Sequence, residues 1–119
     1  AGGKALPLKV KGAFHSPFMK EAASAFAEEL AKSDIRRGTI PLYSNMTAEP
    51  YTEDIAGLLS QQICSPVQWE KLIRAMIAGG IETFIEIGPG RTLTNMMKKI
   101  DPAVKALTVT EFLAEVEAC

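Results

Sequence analysis

The chain contains one histidine, His15, in the stretch Gly12-Ala13-Phe14-His15-Ser16-Pro17-Phe18-Met19. Imidazole is the side chain whose unperturbed pKa lies near neutrality, so His15 can take a proton and return it within one reaction cycle. A serine hydroxyl is a poor nucleophile at pH 7 until such a base withdraws its proton. On the residues alone, His15 reads either as that base or as a helix-start histidine bonded locally. Ser16 is adjacent, but before Pro17 it reads as a helix cap, with proline in the first turn where a missing N–H does no harm. Ser44, Ser60, Ser65 and Cys64 have no glycine elbow around them, and no Gly-x-Ser-x-Gly pattern occurs in the chain. A candidate base is present without a candidate nucleophile.

Other residue types able to do chemistry are sparse. Asn45 follows an apolar stretch and precedes a loop, which suits either a residue orienting the rim of a site or a turn residue holding its own loop. Gln62, taken alone, is a polar residue at a helix end. Gly88-Pro89-Gly90 precedes a helical pattern, and helix N-termini offer free N–H groups to phosphate. It lacks the lysine and hydroxyl of a P-loop, so we read it as a structural turn. Cys64 and Cys119 show neither metal-ligand spacing nor a disulfide framework.

Thirteen basic against fourteen acidic residues leave a formal net charge of −1. Arg36-Arg37 and Lys98-Lys99 are pairs on solvated turns and helices, with no basic face gathered for nucleic acid. No apolar run approaches the ~20 residues that span a bilayer, and no export signal opens the chain. Hydrophobic content of 47% over 119 residues is enough for one core. A reducing cytoplasm is the expected setting. The opening Ala1-Gly2-Gly3-Lys4, without methionine, reads as processed, tagged or cut.

The elements that must position His15 follow from periodicity. Residues 5 to 11 read as a half-buried strand, with Leu6, Leu8 and Val10 alternating with Pro7, Lys9 and Lys11. Residues 17 to about 32 read as an amphipathic helix with Met19, Ala22, Ala23, Phe26 and Leu30 on one face. Phe18 lies off that stripe, placed to pack beside His15 or over the core. His15 thus falls between a strand and a helix, the edge along which open α/β sheets build their sites.

A short strand is predicted over Thr39 to Ser44, with Pro41 at its start or edge. Thr52 then caps a helix carrying Ile55, Leu58, Leu59 and Ile63. Ser65-Pro66 opens another, running to about Ala78 with Trp69, Leu72, Ile73, Met76 and Ile77 on one face, and Gly79-Gly80 closes it. Thr83 to Ile87 is the clearest strand. Leu93, Met96, Met97 and Ile100 mark a short helix, Val104 to Val109 a last strand, and Thr110 to Ala118 a terminal helix with Phe112, Leu113 and Val116 inward. Strands alternating with helices predict an α/β fold: a mostly parallel sheet flanked by helices.

Four stretches together resemble one family: Ala13-Phe14-His15, Ile40-Pro41-Leu42-Tyr43-Ser44-Asn45, Gln61-Gln62-Ile63-Cys64-Ser65-Pro66-Val67-Gln68-Trp69 and Glu86-Ile87-Gly88-Pro89-Gly90. In this order they look like the C-terminal part of malonyl-CoA:acyl carrier protein transacylases and of the related acyltransferase domains of fatty-acid and polyketide synthases. The resemblance runs from about Leu6 to about Ile100. It implies that residues 1–11 end a ferredoxin-like subdomain or its exit strand, and that 12–119 form the C-terminal part of an α/β-hydrolase-like acyltransferase domain.

The resemblance also implies roles. His15 would be the catalytic base. Gln62 would offer its backbone carbonyl to the other ring nitrogen, in place of a triad aspartate. Phe14 would bias the site toward malonyl over the bulkier methylmalonyl. The nucleophilic serine, the oxyanion-hole donors and the arginine that pairs with the malonyl carboxylate would lie upstream, since Arg36, Arg37, Arg74 and Arg91 match none of these features.

The implied reaction carries malonyl from coenzyme A to the phosphopantetheine thiol of acyl carrier protein through a serine ester. Malonyl-CoA is its substrate, and it needs no metal or bound cofactor. The implied partners are acyl carrier protein and the N-terminal part of the same enzyme, with no nucleic acid and no membrane. This chain alone is then expected to be inactive. The rival readings are an acyltransferase domain cut from a polyketide synthase and a non-catalytic α/β module that binds a carrier protein. Gly12 stands where polyketide members often carry histidine, which favours the stand-alone bacterial type.

Overall fold

Helices α1 (Lys20–Leu30), α2 (Ile55–Gln61), α3 (Trp69–Ala78), α4 (Thr92–Ile100) and α5 (Val109–Glu117), with strands β1 (Thr83–Glu86) and β2 (Lys105–Thr108), make up the regular structure of the computed structural model. It describes residues 2, 3, 7 and 11–118. The strand expected over residues 5 to 11 lies, apart from residues 7 and 11, outside the described residues. The chain forms two compact units.

The first unit takes the chain up to Arg37 together with Thr52–Val67. A 3₁₀ turn over Pro17–Met19 leads into α1, which packs against α2 and against a second 3₁₀ turn, Gln62–Cys64, at the end of α2. Ala23 on α1 and Ser60 on α2 are the buried residues of this pair. Phe18, at 87% exposure, covers no core. Thr52 is not the cap of α2. Asp54 takes that place, with its carboxylate accepting the Gly57 N–H at 3.1 Å. Its backbone is left-handed (φ 45°), a conformation that asparagine and aspartate tolerate better than a β-branched threonine.

The second unit combines Gly38–Tyr51 with the chain from Gln68 onward. Ala48, Leu72, Ile73 and Met97 form its buried core, with Tyr43, Trp69, Phe84, Ile100 and Ala106 packed around them. β1 and β2 pair in parallel, Thr83 opposite Lys105 through Glu86 opposite Thr108, and α4 makes the crossover between them. Parallel pairing with helical crossovers agrees with the α/β expectation.

Four expectations in this unit need correction. No strand forms over 39–44; a single antiparallel bridge joins Tyr43 to Pro50. Pro41 cannot donate to a ladder, and the turn held by the Ser44 hydroxyl, which accepts from the N–H of Met46 and of Thr47, folds the chain back at once. α3 begins at Trp69, not at Ser65-Pro66, because the Gln68 N–H is taken by the Asn45 carbonyl at 2.8 Å before the helix starts. α5 begins at Val109, where Thr108 and Glu111 form a reciprocal capping box. Leu113 and Val116, expected inward, are 51% and 57% exposed.

The end of α3 follows expectation. Gly80 adopts φ +91°, its N–H bonds the Ile77 carbonyl, and the Ile81 N–H bonds the Met76 carbonyl, the paired closure that a left-handed glycine permits.

Candidate active site

His15 sits in the first unit on a backbone that L-residues rarely adopt, with φ 58°. Such a conformation costs about 1–3 kcal/mol and persists only where surrounding bonds enforce it. Two successive carbonyls do so here. The His15 N–H donates to the Ile63 carbonyl at 3.1 Å, and ring Nδ1 lies 3.0 Å from the Gln62 carbonyl oxygen. A carbonyl can only accept, so Nδ1 carries a proton, and in the neutral ring Nε2 then presents a lone pair. That is the tautomer of a general base. The ring is solvent-exposed.

Ser16 does not cap the helix. Its hydroxyl turns back to donate to the Ala13 carbonyl at 2.6 Å, while its own carbonyl accepts the Met19 N–H. With the Met19 N–H taken by that carbonyl, the hydroxyl closes the bend that carries His15 instead. Phe14 is two-thirds exposed, and its ring folds over Gly12, where even a methyl group would meet it at 2.6 Å. Cys64 closes the second 3₁₀ turn by donating its thiol to the Gln61 carbonyl.

Asn45 belongs to the second unit, in the turn 45–47, where its carbonyl receives the Gln68 N–H. The turn at Gly88-Pro89-Gly90 leads to a helix start that a side chain of the chain itself occupies. The Glu86 carboxylate occupies the start of α4, accepting the N–H of Leu93 at 3.1 Å and both the N–H and the hydroxyl of Thr94. A helix N-terminus already satisfied by a carboxylate offers nothing further to an anion. Arg36, Arg74 and Arg91 pair with Asp34, Glu70 and Glu111.

Sequence reasoning did not single out Ile63, and no side-chain signal marks it, because its contribution is a backbone carbonyl. The four-motif resemblance brings His15 to the Gln62 carbonyl across 47 residues; periodicity by itself does not.

The malonyl CoA-acyl carrier protein transacylase of Bacillus subtilis is 43% identical to this chain over 110 residues, 91% of the chain and 35% of that protein. The chain is homologous to the C-terminal part of malonyl-CoA:acyl carrier protein transacylase. The fold agrees. MCAT from Streptococcus pneumoniae superposes with a TM-score of 0.91 at 38% identity, covering 99% of this chain and 40% of that one. A malonyl-transacylase solved in complex with its type II PKS acyl-carrier protein matches with a TM-score of 0.87 at 28% identity, over 96% of this chain and 38% of that one. No protein-family model matches the chain. The chain spans well under half the length of the transacylases it matches. Among the described residues, no helix is long and apolar enough to cross a membrane.

Proposed function

We propose that this chain is the histidine-bearing part of an enzyme that moves malonyl from coenzyme A to the phosphopantetheine thiol of acyl carrier protein. The observation that carries the reading is the bond between His15 Nδ1 and the Gln62 carbonyl, which leaves Nε2 free to accept a proton. A serine supplied by the N-terminal part of the enzyme passes its proton to Nε2 and attacks the malonyl thioester. The imidazolium then protonates the departing coenzyme A thiolate. In the second half the carrier's thiol gives its proton to Nε2 and attacks the serine ester, and the imidazolium returns a proton to serine. Malonyl-CoA enters as substrate, and no bound cofactor takes part. Phe14 would crowd an extra methyl group near the substrate, and Asn45 would act by holding its turn. The cytoplasm is the setting of this chemistry.

The second unit supports the call for an N-terminal partner. Lys105 donates to the Glu82 carbonyl at 2.9 Å, and a parallel ladder engages alternate residues, so Thr83 and Ile85 turn their backbone groups toward the opposite edge of β1. No other described strand pairs with that edge. Next to β1, a cavity of about 90 Å³ is lined by Trp69, Ile73, Phe84 and Leu93, and the buried Trp69 indole N–H has no partner among the described residues. Parallel sheets are stable when both faces and edges are covered. The solved complex with a type II PKS carrier favours one second reading, the same transfer in polyketide synthesis.

Intact mass spectrometry after brief exposure to malonyl-CoA tests the reading. The 119 residues alone should gain no malonyl group, and a whole transacylase containing this chain should gain one. An adduct on the chain alone, or none on the whole enzyme, would overturn it.

A further inference from the structure

The two carbonyls that hold His15 are ones an uninterrupted helix would not release. In an α-helix the carbonyl of residue i accepts the N–H of residue i+4. For Gln62 that residue is Pro66, which has no N–H. Proline also drives the preceding residue out of the helical region, and Ser65 is extended at φ −116°, ψ 148°. The helix therefore tightens into the 3₁₀ turn Gln62–Cys64 and stops. The Gln62 carbonyl receives the Ser65 N–H, at 3.3 Å, in place of a helical donor, and it also accepts from the imidazole. The extended Ser65 also carries Val67, the helical donor for Ile63, out of register, and the Ile63 carbonyl takes the His15 N–H instead.

We propose that Pro66 is a positioning residue for His15. By withholding a helical donor it reserves the Gln62 and Ile63 carbonyls for the ring and backbone of the histidine, and so selects the Nδ1–H tautomer. Its consequence for turnover rests on the reading of His15 as the base; the tautomer itself does not. Pro66 acts through the two carbonyls. A proline that merely ended a helix would have no such effect on the ring.

His15 is the only histidine, so the chain labelled with ¹⁵N gives a single imidazole in long-range ¹H–¹⁵N correlation spectra. The unaltered chain should show a protonated Nδ1 and a bare Nε2 above the imidazole pKa. Pro66→Ala restores an N–H at that position and should shift the ring toward the Nε2–H form favoured by free histidine. Pro66→N-methylalanine, introduced by ligation at Cys64, lacks both the ring and the N–H and should keep the tautomer of the unaltered chain. An Nε2–H ring in the unaltered chain, an unshifted ring in a folded Pro66→Ala chain, or a shifted ring in a folded N-methylalanine chain would overturn the proposal. Should Pro66→Ala not fold, the N-methylalanine chain decides alone. In the whole transacylase Pro66→Ala should lower kcat about tenfold or more with KM for malonyl-CoA unchanged, since a wrong tautomer removes the base without removing the pocket. A shifted tautomer with unchanged turnover would instead overturn His15 as the base and leave the assignment of Pro66 standing.

Discussion

The Glu86 carboxylate accepts both the backbone N–H and the hydroxyl of Thr94, at 2.8 and 2.7 Å, and so caps α4 from the end of the strand before it. These bonds favour the ionised form and hold the Glu86 carboxyl below the usual glutamate range; partial burial opposes them, and the Leu93 N–H adds to them. Glu111 is lowered for the same reasons, by the N–H and hydroxyl of Thr108 and then by Arg91. A carboxylate with a depressed folded pKa stabilises the fold above its unfolded value of about 4.3, and that contribution disappears as pH falls through the folded value. The melting temperature should therefore drop as pH is lowered from about 4.3. Glu86→Gln should melt lower than the unaltered chain at pH 7 and show a smaller acid-dependent drop, read by circular dichroism at several pH values.

Burial separates the costs of truncation in the second unit. Ile73 is 1% exposed in the core, so Ile73→Ala should cost about 2–5 kcal/mol in denaturant unfolding. Val116→Ala on the exposed side of α5 should change stability by no more than about 0.5 kcal/mol. Equal effects would show that Val116 is covered in solution.

Asp54 caps α2 from a left-handed backbone. Asp54→Ala should cost about 1–2 kcal/mol through the lost cap, with backbone strain added. Asp54→Asn should be close to neutral. Gly57→Ala should also destabilise, because a β-carbon there would run into the Asp54 carboxylate that caps the helix. Thr52→Ala should do little.

In the whole transacylase, His15→Ala should slow malonyl transfer by about 10²–10⁴-fold, the usual worth of positioned acid–base catalysis. Gln62→Ala keeps the backbone carbonyl and should stay within about tenfold of the unaltered rate. Steady-state transfer to acyl carrier protein measures both, and a larger loss at Gln62 would place the function in its side chain.

The contact between Phe14 and Gly12 gives a handle on substrate choice. Gly12→Ala should displace the Phe14 ring, and Phe14→Ser should remove it. Either change should improve methylmalonyl-CoA relative to malonyl-CoA, within the ~10–200-fold that one methyl group can decide. Competition between the two thioesters reads this ratio, and an unchanged ratio in both variants would remove Phe14 from the selection.

What was legible depended on how local the signal was. β1 stood out as a β-favouring run between glycines, and α4 by its apolar spacing; both lie within about two residues of where periodicity puts them. Helix starts were harder. Asp54, not Thr52, caps α2 because of a φ value that composition does not reveal, and the Thr108–Glu111 capping box was overlooked although its spacing is in the sequence. The apparent strand over 39–44 has β-favouring residues but no partner strand, and ladders are decided by partners. At the site, His15 was visible by its chemistry. The carbonyls that hold it belong to the backbone, which every residue type shares, so only the family motif pointed to Gln62 and nothing pointed to Ile63.

With His15 as the proposed base, its left-handed backbone would set folding and turnover against each other at one position. Glycine or asparagine would occupy φ 58° at lower cost. A library of variants selected for heat resistance alone should therefore drift away from histidine there, and one selected for malonyl transfer should hold it. On the proposed role of His15, a more durable transacylase containing this chain would have to leave that strained residue untouched and gain its stability elsewhere.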